Sequence, residues 1–215
     1  MAQSRHIVPP SGVLQMDKLW VINKPSGLSC QPTAGQDDVL AWCRRDHDAS
    51  EQLAPINRLD RATSGIMLAS ECPETRAWWG QALTSRQVNK TYAALVHGRA
   101  TEARRIHRPL MDARRGKPLP SETHVTVCHV FGRLTYVELE PRTGRKHQIR
   151  RHMEGIHHPI VGDDRYGKRP LPANAPHRLW LHCLSMSVAN VAEFMAPLPD
   201  ELRLHLELLK DTVGP

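Results

Sequence analysis

The chain has 215 residues, with 29 Lys and Arg against 22 Asp and Glu, 13 His, and a formal net charge of +7. That length suits one domain or one with a small appendage. A hydrophobic content of 40% supports a packed core, while 17 Pro and 13 Gly are too few for low-complexity or collagen-like sequence, so wholesale disorder and fibrous architecture are excluded. The positive balance points to a polyanionic partner, and the distribution of the charge along the chain has to decide.

Residues 1–17 lack the apolar run of a signal peptide and are read as an N-terminal tail. No window approaches the roughly 18 apolar residues of a membrane span. Leu19 to Asn23 (LWVIN) reads as a strand cut off by the turn Lys24-Pro25-Ser26-Gly27. Asp37 to Arg45 reads as a helix, Gly65 to Ser70 (GIMLAS) as a buried strand, and Pro73 to Leu83 as a helix whose proline suits the first turn. Lys90 to Val96 is strand-like. Glu102 to Ser121 carries Arg104, Arg105, Arg108, Arg114, Arg115 and Lys117 and reads as an exposed basic loop.

Further along, Glu122 to Val130 and Leu134 to Glu140 alternate polar with apolar residues, which predicts paired antiparallel strands around a turn at Gly132. A helix capped near Thr143 is expected next, with Ile149, Met153 and Ile156 on one face. Leu179 to Ser187 reads as the last strand and Pro199 to Leu209 as a terminal helix. Strands outnumber helices and come partly in adjacent pairs without steady βαβ alternation. This favours an α+β class with a mixed, largely antiparallel sheet flanked by helices. No GxGxxG, GxxxxGK[ST] or GxSxG motif is present, which leaves nucleotide-phosphate and serine-hydrolase readings without a motif. Cys30, Cys43, Cys72, Cys128 and Cys183 form no CxxC pair, so a disulfide framework is not expected and a reducing, cytoplasmic setting fits. The histidines show no paired spacing with acids or cysteines, and no metal is expected.

Three segments carry possible chemistry. In Ile56 to Gly65 (INRLDRATSG), Asp60 stands between Arg58 and Arg61 in a polar turn just before a buried strand. An isolated aspartate there could cap the turn or make a surface ion pair; flanking arginines also suit an ionised carboxylate, the form that attacks an electrophilic carbon. Pro141 to His152 (PRTGRKHQIRRH) concentrates Arg145, Lys146, His147, Arg150 and Arg151 at a strand-to-helix junction, as either a solvated basic face or an anion site. Lys90-Thr91-Tyr92 places one of three tyrosines in a strand, either as a core aromatic or as a ring able to stack on a nucleobase.

From Lys18 to Asp200 these segments resemble the RluA-type family of RNA pseudouridine synthases. NKPSG (Asn23 to Gly27), RLDRATSG (Arg58 to Gly65), KTYAALVHG (Lys90 to Gly98), TGRKHQIRRH (Thr143 to His152), HPIVGDDRYG (His158 to Gly167) and RLWLH (Arg178 to His182) stand in the family's order. The run Val137 to Asp163 looks most like the tRNA-modifying TruC branch, while NKPSGL also suits the branch acting on both ribosomal and transfer RNA. The resemblance implies Asp60 as catalytic aspartate, Tyr92 as the ring against the target uracil, and Arg150 as the basic partner of the aspartate. Arg58 is similar to the residue that helps displace the flipped nucleotide. Asn57 stands where the family usually has His.

What the resemblance implies beyond these roles is a central RNA-binding cleft, with Arg58, Arg61, Lys90, Arg104, Arg105, Arg145, Lys146 and His147 as RNA contacts. Residues 18–215 would form a single catalytic domain with no preceding S4-like domain, acting as a monomer. The substrate would be RNA, with tRNA ahead of rRNA. Isomerising uridine involves no net redox change and no outside group, so no cofactor is expected. An RNA-binding module without turnover and a two-carboxylate glycoside or nucleoside hydrolase stand as the alternatives.

Overall fold

The computed structural model describes residues 4–9, 11–32 and 37–213. In chain order they form β1 (Ser4–Ile7), β2 (Val13–Met16), β3 (Leu19–Lys24), α1 (Val39–His47), β4 (Ala54–Pro55), β5 (Ser64–Ser70), α2 (Pro73–Thr84) and β6 (Val88–His97). There follow β7 (Arg104–Ile106), β8 (Leu110–Asp112), β9 (Lys117–Leu119), β10 (Thr123–Phe131), β11 (Leu134–Pro141), α3 (Gln148–Gly155), β12 (Leu181–Val188), β13 (Ala192–Met195) and α4 (Asp200–Val213). The chain divides into two compact units. Unit 1 runs to Lys90 and takes back Cys183–Leu198; unit 2 holds Thr91–His182 and the chain from Pro199 onward.

The α+β class with a mixed, largely antiparallel sheet holds. Among the described residues β1 runs parallel to β13, while β2 with β3, β3 with β5, and β10 with β11 are antiparallel.

In unit 1 the strand order is β2-β3-β5-β12, with β4 also on β5, β13 on β12 and β1 on β13. Every residue of β3 and β5 is buried, which fits their near-continuous apolar runs. Gly65 opens β5 at φ +109°, and a Cβ there would lie 2.2 Å from the Cys183 carbonyl oxygen, so no other residue fits this strand crossing. Helix α1 is capped by Asp38, which accepts from the Leu40 and Ala41 amides. Helix α2 starts at Pro73, as expected, and its Trp79 ring lies 6.1 Å from Phe194 of β13.

Unit 2 has the order β6-β11-β10-β7, with β8 and β9 as a separate two-stranded sheet. The predicted hairpin around Gly132 is present as β10 and β11. Its core gathers Leu95, Val96, Val137, Leu139 and Met153 with Trp180, whose indole nitrogen donates to Nδ1 of the buried His205 at 3.2 Å. The stretch 159–163 is laced to β6: His97 donates to the Pro159 carbonyl, Val161 to Leu95, and Trp180 to Val161. Gly162 sits at φ +74°, where a Cβ would come within 2.0 Å of the Arg178 carbonyl.

Four expectations need correction. Residues 4–7 and 13–16, read as tail, are strands paired to β13 and β3, because a short strand with a ladder partner needs no strong apolar pattern. The basic stretch Glu102 to Ser121 is not a plain loop; it contains β7, β8 and β9, although its arginines are exposed as predicted. Helix α3 begins at Gln148 instead of near Thr143. His147, at φ 53°, turns the chain out of helical geometry, and the Thr143 hydroxyl donates to the Gln148 side chain instead of accepting from a helix amide. Finally, β12 is not the last strand, since β13 follows it.

Candidate active site

Asp60 lies in unit 1, half-buried, on the turn between β4 and β5. That turn is fixed by the facing Lys24 to Gly27 turn. The Gly27 amide donates to the Arg61 carbonyl at 2.8 Å, the Ser26 hydroxyl to the Ala62 carbonyl at 2.8 Å, and the Arg61 Nε back to the Gly27 carbonyl at 2.8 Å. Lys24 is fully buried, and its Nζ donates to the carbonyls of Pro25, Leu28 and Arg61 at 2.8, 3.0 and 3.3 Å. These three contacts tie the Lys24 side chain to its own turn and to the Asp60 turn.

Underneath, the Cys30 thiol accepts from the Leu59 amide and donates to the Leu59 carbonyl, both at 3.2 Å, clamping the peptide just before Asp60. Burial pushes this thiol up, the Leu59 hydrogen bond and the charges of Lys24 and Arg58 pull it down, and the charge of Asp60 adds to the rise. Asn57 is buried as well and accepts from the Leu68 amide at 2.6 Å, which ties the turn to β5. Of the residues predicted for RNA, Arg58 is exposed beside Asp60, whereas Arg61 spends its Nε on the turn itself.

Unit 2 holds the second predicted segment. Arg150 is buried, and its Nε and Nη2 donate to the two oxygens of Asp163 at 2.8 and 2.7 Å. Nη2 also reaches Asp164 at 3.2 Å. The Asp163 side chain is wholly buried and further accepts from the amides of Arg165 and Tyr166 at 2.9 and 2.8 Å. Burial raises the Asp163 pKa, but the bonds from Arg150, Tyr166 and Arg165 outweigh it and hold the carboxyl below its usual range. The Tyr166 ring lies 5.2 Å from the Arg150 guanidinium carbon and 5.7 Å from that of Arg165, and its hydroxyl pairs with His147 Nδ1 at 3.0 Å.

Helix α3 is anchored by a closed polar chain. Gln148 donates to the Glu122 carbonyl and to Thr123 Oγ1, Thr123 Oγ1 meets His152 Nδ1 at 2.9 Å, and His152 Nε2 lies 3.0 Å from the Arg108 carbonyl. The carbonyl fixes the proton on Nε2, so Nδ1 accepts. Arg145 donates from Nε to the Pro120 carbonyl, Lys146 is exposed, and neither belongs to the helix.

Tyr92 is on β6, 8% exposed, opposite Leu139. Lys90 lies two residues before it on the same strand and is half-buried, and burial lowers its pKa. Arg104 and Arg105 are exposed on β7, where Arg105 stands opposite His124 on β10. The motifs contained Lys24, Gln148, His152 and Asp163, and Cys30 lies just past the first of them; the sequence assigned no role to Lys24, Cys30, Gln148 or His152, and Asp163 entered only as a possible second acid of the hydrolase alternative. The signal available was a lysine directly after an apolar run and an acid directly after a glycine. No helix of the described residues is long and apolar enough to cross a membrane.

Two solved structures fix the class of the fold. Human RNA Pseudouridylate Synthase Domain Containing 4 superposes with a TM-score of 0.73 at 25% identity over 92% of each chain. Human RNA Pseudouridylate Synthase Domain Containing 1 gives 0.73 at 22% identity over 94% of each chain. Residues 18–155 match the family model described as RNA pseudouridylate synthase, and the chain belongs to that family.

Among curated relatives, the ribosomal large subunit pseudouridine synthase D of Vibrio parahaemolyticus is 30% identical over 235 residues, covering 95% of this chain and 72% of that protein. The ribosomal large subunit pseudouridine synthase C of Yersinia pestis is 34% identical over 210 residues, covering 87% and 65%. The chain spans 55% of the length of the Yersinia pestis synthase D.

Proposed function

We propose that this chain isomerises uridine to pseudouridine in structured RNA, with Asp60 as its catalytic carboxylate. The observation that carries the reading is the Asp60 turn. A carboxylate stands beside an exposed Arg58, on a loop locked to the Lys24 to Gly27 turn by hydrogen bonds to backbone groups at 2.8 to 3.3 Å. Such preorganisation is what attack on a sugar or ring carbon needs.

The reaction breaks the N1 to C1′ bond, turns the ring and joins C5 to C1′; the proton lost from C5 is balanced by one gained at N1. The target base has to leave its stack to reach the turn. Tyr92 holds the detached ring, Arg150 supplies the basic group, and Arg58, Lys90, Arg104, Arg105, Arg145, Lys146 and His147 meet the RNA backbone.

For the substrate, the names of the relatives favour large-subunit ribosomal RNA. A tRNA substrate is the second reading, supported by the run Val137 to Asp163. The test maps pseudouridine across rRNA and tRNA in cells lacking the gene, complemented by wild type or Asp60→Asn. We expect one or a few sites to vanish and to return with wild type alone, Asp60→Asn being slower by about 10⁴-fold or more. Sites lost in rRNA support the first reading, and sites lost in tRNA the second. Unaltered pseudouridine with Asp60→Asn overturns the role of Asp60.

A further inference from the structure

We propose that Asp163 is the positioning residue that aims the Arg150 guanidinium before RNA arrives; this rests on the reading of Arg150 as the basic group of the reaction. A surface arginine samples many rotamers, and a group that has to meet a reacting centre gains from losing that freedom in advance. Here it is lost. Asp163 engages the Nε and Nη2 edge side-on at 2.8 and 2.7 Å, which fixes the plane of the guanidinium and turns its Nη1 corner away from the carboxylate. The Tyr166 ring lies against the guanidinium, with 5.2 Å between its centroid and the Arg150 Cζ.

Asp163 is itself held in place. It takes the amides of Arg165 and Tyr166, and the stretch before it is laced to β6 through Leu95 and to Trp180 through Val161. Gly162 lets the chain pass where any side chain would strike the Arg178 carbonyl. Rigidity therefore runs from the β6 ladder through Val161 and Gly162 to Asp163 and on to Arg150. Asp164 adds a contact at 3.2 Å from a side chain that is 90% exposed, and contributes little to the aim.

Asp163→Asn keeps the shape and an acceptor oxygen for the two amides while removing the charge and half of the bidentate pairing. The assay is tritium release under single turnover from total RNA carrying 5-tritiated uridine, taken from cells lacking the gene, with RNA binding measured in parallel. We expect Asp163→Asn to slow the single-turnover rate by about 10- to 100-fold while RNA affinity stays within about twofold. Arg150→Lys should slow it at least as much, and the double variant should be no slower than Arg150→Lys, because nothing remains to be aimed.

Arg150→Lys at full rate overturns the reading of Arg150 and the proposal with it. A slow Arg150→Lys beside a full-rate Asp163→Asn, or losses that multiply in the double variant, overturn the proposal alone. If Asp163→Asn does not fold, side-chain NMR of the wild-type protein without RNA decides: an Arg150 Nε proton in slow exchange, assigned by its loss in Arg150→Lys, supports the proposal, and a solvent-averaged one overturns it.

Discussion

In unit 1 side chains grip the turn carrying Asp60 by backbone groups: the Lys24 ammonium, the Ser26 hydroxyl, the Cys30 thiol and the Arg61 guanidinium all end on carbonyls. In unit 2 the segment carrying Arg150 is held by side chains on side chains as well as on backbone, through the Arg150 and Asp163 pair and the Gln148, Thr123 and His152 chain. Carbonyls do not titrate, whereas carboxylates and imidazoles do. The acceptors of the first arrangement keep one state across pH, while the second includes an imidazole, His152, whose charge changes in acid. His97, His152 and His205, whose pKa values burial lowers, all lie in unit 2.

Three substitutions test this contrast, and the largest effect belongs to the buried pair. Arg150→Ala leaves the Asp163 carboxylate buried without its cation, and should destabilise the protein by about 3–5 kcal/mol in denaturant unfolding. A loss below about 1 kcal/mol would mean that the pair is as inconsequential as a surface salt bridge.

Lys24→Met ranks next. It strips the carbonyls of Pro25, Leu28 and Arg61 of a buried donor, at a cost of about 1–3 kcal/mol in denaturant unfolding. A cost below about 0.5 kcal/mol would break the contrast from the unit 1 side.

The smallest effect is a slope. Burial lowers the His152 pKa, opposed in part by the hydrogen bond to the Arg108 carbonyl. An unfolded histidine takes its proton near pH 6.5, before the folded one does, so the unfolded state binds more protons as the pH falls. Stability is full above about pH 6.5 and is lost as pH falls toward the lowered folded value, by at most about 1.4 kcal/mol per pH unit. His152→Gln should flatten that part of the thermal midpoint curve between pH 7.5 and 5.5. Hydrogen exchange at the lower pH, corrected for intrinsic rates, should open β10 and α3 before β3 and β5. An unchanged slope in His152→Gln assigns the acid loss to His97 and His205 instead.

The sequence by itself determined what is local. The apolar runs of β3 and β5, the proline start of α2, the β10 and β11 hairpin around Gly132 and the Asp60 turn were all legible, because side-chain period and turn chemistry act over a few neighbouring residues. The motif segments from Asn23 to His182 also carried the family. The tertiary structure decided what joins residues far apart in the chain. Strand β1 was hidden in a supposed tail because its partner lies near residue 195. The start of α3 moved because a residue in the left-handed region and a threonine engaged elsewhere replaced the expected cap. Lys24 on the Arg61 carbonyl, Cys30 on Leu59 and Asp163 on Arg150 are contacts made by burial and directional hydrogen bonding. A charge inside a strand or loop takes whichever partner the fold brings to it, and sequence spacing does not name that partner.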